Sequence, residues 1–216
     1  MRSNEFIIEG FNHPVIVVDV QPEYAYYDNN QQVCDKIVHF VNKQTGPVLM
    51  FINAEDTGVS DDTKEEIVRY WEQVEAEGQD IDLDDMFDND PYYTGPIDWN
   101  RFTVVDKGYG YLRSWMDHGL ADATIIRVIR EMYQLKISDS RDFENSSVNL
   151  EELVGNEWDA WMWSSSLTVN WTSVAQLKRF SGAYIVGGGR NECLREVELL
   201  MNAFNIKYRR VDSLVY

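Results

Sequence analysis

The sequence predicts an α/β domain, an open and mostly parallel sheet of about six strands with helices on both faces. Three observations lead there. Val15-Ile-Val-Val18 and Val48-Leu-Met-Phe-Ile52 are short, unbroken apolar runs, the pattern of strands buried on both faces. Between them, residues 30–43 carry Val33, Ile37, Phe40 and Val41 on one helical face. A further apolar run, residues 183–186, stops at three glycines and is followed by Leu194, Val197, Leu200 and Ala203, again at helical spacing. Strand, helix and strand at this spacing read as a right-handed crossover unit.

Composition narrows the function classes. The 216 residues fit one domain spanning 1–216, and 44% hydrophobic with 13% aromatic residues is ample for a core. A net charge of −18, with no Lys/Arg cluster, argues against nucleic acid and against anionic membrane surfaces as partners. No apolar run approaches a membrane span, and Met1-Arg-Ser-Asn-Glu-Phe6 lacks a signal-peptide core. The two cysteines, Cys34 and Cys193, are too few for a disulfide framework and suit a reducing compartment. A soluble cytoplasmic protein is the expectation.

Taken in order, the first strand ends at Asp19, where open α/β sheets place their ligands; capping of the next turn is the alternative use of that aspartate. Cys34 and His39 fall in the following helix, where packing and surface roles respectively account for them. Gly46-Pro47 ends that helix. The second strand leads into Asn53-Ala-Glu-Asp-Thr-Gly58, whose Glu55 and Asp56 suit a hard cation only unspecifically. A helix is predicted over residues 62–76. The acidic tract 75–90 lacks the glycine and closing glutamate of an EF-hand loop and reads as a solvated loop. Residues 99–106 give a third strand ending at Lys107-Gly-Tyr109-Gly. Residues 122–135 form an amphipathic helix. Residues 137–171, with Trp158, Trp161, Trp163 and Trp171, show no clear period and read as an insertion or lid. A mini-core or an oligomer contact accounts for its tryptophans better than a ligand platform does. A short helix over 172–180 and a last strand over 207–212 complete the chain.

Cys193 follows the Gly187-Gly-Gly189 turn and opens a helix. The positive end of the helix dipole favours thiolate, which makes Cys193 a candidate nucleophile; a buried, inert thiol is the alternative. Asp19, Lys107 and Cys193 each follow a core strand. They converge if those strands are neighbours in a parallel sheet.

Three segments together resemble the isochorismatase-like cysteine hydrolases, a family that includes nicotinamidases and related amidases. Val15-Ile-Val-Val-Asp-Val-Gln21 is similar to the family's opening strand, which ends in Asp-x-Gln. Thr103-Val-Val-Asp-Lys-Gly108 is similar to its lysine-bearing strand. Tyr184-Ile-Val-Gly-Gly-Gly-Arg-Asn-Glu-Cys-Leu194 resembles its nucleophile segment. The resemblance covers roughly residues 10–110 and 180–212, by pattern and order.

The resemblance implies a catalytic triad of Asp19, Lys107 and Cys193, with no cofactor. Asp19 would take the thiol proton, Lys107 would hold thiolate and carboxylate, and Cys193 would attack a small-molecule amide to give a thioester. The turn Gly188, Gly189, Arg190, Asn191 and Glu192 would supply backbone donors to the oxyanion, with a cis peptide near Gly188-Gly189-Arg190. Gln21, Tyr24, Asn53 and Tyr109 are candidates for the substrate pocket. Nicotinamidases carry metal-binding histidines after strand two; this chain has none there, so no metal is expected. Relatives often assemble as homo-oligomers. A second reading keeps the fold without the chemistry, as a binding or assembly protein. A third, nucleotide binding on the glycine turn, lacks both G-x-G-x-x-G and a Walker lysine.

Overall fold

The computed structural model describes residues 12–21, 24–25, 30–52, 92, 98–106, 112–164 and 168–216. The expected 62–76 helix, the acidic tract 75–90, Asn53, Glu55, Asp56, Lys107 and Tyr109 lie outside the described residues.

Five strands form one sheet: β1 (Val15–Val18), β2 (Val48–Ile52), β3 (Phe102–Asp106), β4 (Ala183–Gly187) and β5 (Tyr208–Val215). Their order across the sheet is β3-β2-β1-β4-β5, and every pair is parallel. About six strands were expected; the described residues supply five. The stretch from Leu112 to Ser164 folds as helices and 3-10 turns.

Alternation along the strands explains the layers. Successive side chains point to opposite faces, so a continuous apolar run can serve two cores. Val15, Val17, Val48, Met50 and Val186 face α1 (Gln31–Lys43), which buries Cys34, Ile37, Val38 and Val41. Ile16, Val18, Leu49, Phe51, Ala183 and Ile185 face the larger layer. That layer holds α2 (Arg113–Asp117), α3 (Asp122–Leu135), α4 (Leu150–Val154), α5 (Trp158–Trp163), α6 (Trp171–Arg179) and α7 (Cys193–Ala203). Helix α1 ends at Gln44, and the Arg101 guanidinium holds its last turn, donating to the Val41, Gln44 and Gly46 carbonyls at 3.2, 2.6 and 3.0 Å. A cation there also complements the helix dipole.

The Trp-rich stretch is built into the larger layer. Phe143, Val154 and Val169 are core residues, and Trp158, Trp161 and Trp171 pack against them. Its ends meet at a Val169 N–H to Ser138 C=O bond of 2.7 Å beside an Asp139–Thr168 bridge. Trp171 satisfies its indole N–H on the Ile137 carbonyl at 3.0 Å. Met162 and Trp163 instead face outward, 61% and 79% exposed. No described helix is long and apolar enough to cross a membrane.

Candidate functional site

The strand order places a switch point between β1 and β4. The chain leaves β1 toward β2 and β3 on one side, while β4 and β5 lie on the other. Crevices at the carboxyl ends of such strands are where open α/β sheets bind ligands. Asp19 follows β1 and the glycine turn follows β4, in a register that sets Val18 beside Gly187. The Gly188 amide donates to the Val18 carbonyl at 2.8 Å, so the turn begins against the backbone that carries Asp19.

Asp19 is 2% exposed and its backbone is left-handed, φ +50°. That region is sparsely populated by residues with a Cβ, although aspartate tolerates it better than most. The backbone is tied at both ends: its N–H donates to Phe51 at 2.9 Å, and its C=O accepts the Tyr216 hydroxyl at 2.6 Å.

The turn needs its first glycine. Gly187 has φ +120°, and a Cβ there would lie 2.1 Å from the Val18 carbonyl oxygen. The turn then folds back on the helix it precedes, with the Leu194 amide shared between the Gly188 and Gly189 carbonyls at 3.1 Å each. Cys193 is thereby delivered half-buried as the first residue of α7, at the end where the dipole favours thiolate. All described peptide bonds are trans, including those of Gly188, Gly189 and Arg190, where a cis bond was expected.

The remaining turn residues divide. The Arg190 and Glu192 amides donate to the Tyr216 and Gly189 carbonyls at 2.8 and 2.7 Å, so both already have acceptors. The Arg190 guanidinium points to β5, donating to the Val215 and Asp212 carbonyls at 3.3 and 3.4 Å. With Asn191 it borders a polar cleft of about 270 Å³ against α7 and β5, whose described lining residues do not include Cys193. Glu192 pairs with Arg113 at 2.7 Å on the surface. Of the pocket candidates, Gln21 is fully buried and Tyr24 half-buried. Lys107 directly follows β3 in the chain but lies outside the described residues, as do Asn53 and Tyr109.

Three residues belong to this region that sequence reasoning did not single out. Tyr216, just after β5, touches both Asp19 and the turn; nothing in the local pattern marks it. Cys34, read as packing, is fully buried and hydrogen-bonded to Tyr216, and burial pushes its thiol up to about 12. Burial also pushes the Tyr216 phenol well above its ordinary range. Glu196, one turn after Cys193, is a buried carboxylate accepting the Leu112 amide at 2.7 Å. Its signal was legible: a charged residue lying between the apolar positions Leu194 and Val197 on an otherwise buried helix.

Fold and site together define an α/β protein with a half-buried cysteine and a buried aspartate at the switch point of a parallel sheet. No protein-family model matches the chain, and no curated protein and no solved structure matches it.

Proposed function

We propose that the protein is a cysteine hydrolase of the isochorismatase-like kind, cleaving the C–N bond of a small-molecule amide. The observation that supports the reading is the β1–β4 pairing, which sets the end of β1 that leads to Asp19 beside the end of β4 that leads to the Cys193 turn. In the proposed reaction Asp19 takes the Cys193 proton, and Sγ attacks the amide carbonyl carbon. The C–N bond breaks as Asp19 returns that proton to the leaving amine, leaving a thioester. Water then attacks the thioester, giving its proton by way of Asp19 back to the sulfur and releasing the acid. Lys107, named from the sequence, would hold the thiolate and carboxylate charges. The Gly189 and Asn191 amides, which have no acceptor among the described residues, suit an oxyanion better than those of Arg190 and Glu192. The same proposal makes the protein a cytoplasmic homo-oligomer, the location being in keeping with two cysteines that form no disulfide.

The exposed pair Met162 and Trp163 favours a second reading, a non-catalytic binding or assembly protein on the same fold. The pH dependence of Cys193 alkylation, followed by mass spectrometry with buried Cys34 as internal control, separates the two. Hydrolase chemistry requires an apparent pKa below the ordinary ~8.5, altered in Asp19→Asn and Lys107→Ala, followed by turnover in a screen of small amides. A Cys193 that ignores both substitutions ends the hydrolase reading.

A further inference from the structure

We propose that Tyr216 is a positioning residue for Asp19. The inference rests on reading Asp19 as the base that serves Cys193. A left-handed aspartate persists only where its surroundings over-determine it. Here the Phe51 bond holds the N–H and the Tyr216 hydroxyl, at 2.6 Å, holds the C=O. Rotation of Asp19 out of φ +50° would swing its carboxyl relative to β1, and the Tyr216 bond opposes that rotation.

The same side chain also touches the turn that follows β4. A Cβ on Gly188 would fall 2.2 to 2.5 Å from atoms of the Tyr216 ring, so ring and turn backbone are in direct contact. The Tyr216 carbonyl accepts the Arg190 amide at 2.8 Å, and its own amide donates to Gly187 at 3.3 Å. One residue thus fixes the spacing between the aspartate and the turn that delivers the cysteine.

The test is the pH profile of Cys193 alkylation in Tyr216→Phe, Tyr216→Leu, Asp19→Asn and the unsubstituted protein, each with a urea unfolding curve. Tyr216→Phe keeps the ring over Gly188 and removes only the hydroxyl. Alkylation at neutral pH should slow about threefold to tenfold, the equivalent of one lost hydrogen bond, with the profile moving toward that of Asp19→Asn. Tyr216→Leu, which also lacks the hydroxyl, should move it in the same direction and supplies the reading if Tyr216→Phe does not fold. A purely structural role would lower the urea midpoint and leave the profile in place, which overturns the inference. If Asp19→Asn shifts the profile and neither other variant does, Tyr216 is not a positioning residue although the hydrolase reading stands. If Asp19→Asn has no effect, both fall together.

Discussion

The Glu196 carboxylate, 2% exposed, accepts the Leu112 amide proton at 2.7 Å. It joins the helix that begins with Cys193 to the first described residue after Lys107. Glu196→Ala should destabilise the protein by about 1–3 kcal/mol, since a buried N–H loses its partner, while Glu196→Gln retains an acceptor and costs less. Urea midpoints at constant m-value measure the difference. Equal losses in the two variants would show that this bond contributes nothing.

Gly187→Ala should prevent accumulation of soluble folded protein, or destabilise it by more than about 3 kcal/mol. The new Cβ would sit 2.1 Å from the Val18 carbonyl oxygen, within the central strand pair and at φ +120°. Neither backbone can retreat without breaking ladder bonds, and overpacking of this kind belongs to the most damaging class of substitution. Soluble yield and thermal melting would settle it.

Gln44 offers a gain. It is 2% exposed, and among the described residues neither its Oε1 nor its Nε2 has a hydrogen-bond partner. Burying an unsatisfied amide is costly, so Gln44→Met should stabilise the protein by about 1 kcal/mol, a rise in Tm of about 2–4 °C for a domain of this size. A lower Tm would mean that the amide is satisfied through water.

Cys34 predicts a pH dependence. Burial raises its thiol from an ordinary 9.0 to about 12. As pH climbs past 9 the unfolded chain sheds this proton while the folded protein keeps it, so unfolding is favoured. The contribution is complete below pH 9 and is lost as pH rises toward 12. Cys34→Ala should flatten the alkaline decline in stability by up to about 1.4 kcal/mol per pH unit. Chemical denaturation at pH 8, 9 and 10, compared between the two proteins, checks the sign and the slope.

Strands buried on both faces announce themselves, which is why β1, β2 and β4 were legible as unbroken apolar runs. The periodicity of residues 122–135 likewise matches α3, and the run after the glycines matches α7. The residues at the strand ends followed from that frame. What local pattern could not convey was direction: Arg190 and Glu192 neighbour Cys193 in sequence, yet their side chains turn to β5 and to Arg113. Nor could it convey long-range partners. Tyr216 reaches Asp19 only because β5 flanks β4, a relation set by tertiary packing. The 137–171 stretch hid its helices because they are short and interrupted, and three of its four tryptophans face a core shared with distant strands.

The central position of β1 has a consequence for synthesis. Its β2 side can be occupied early, but its other side waits for β4, which begins at residue 183. At roughly 5–20 residues per second on the ribosome, that wait is about ten seconds to half a minute. Through that interval the Val15–Val18 edge, wholly apolar, has no native neighbour. The end of β1 that leads to Asp19 therefore gains its β4 neighbour only after residue 187 has been made.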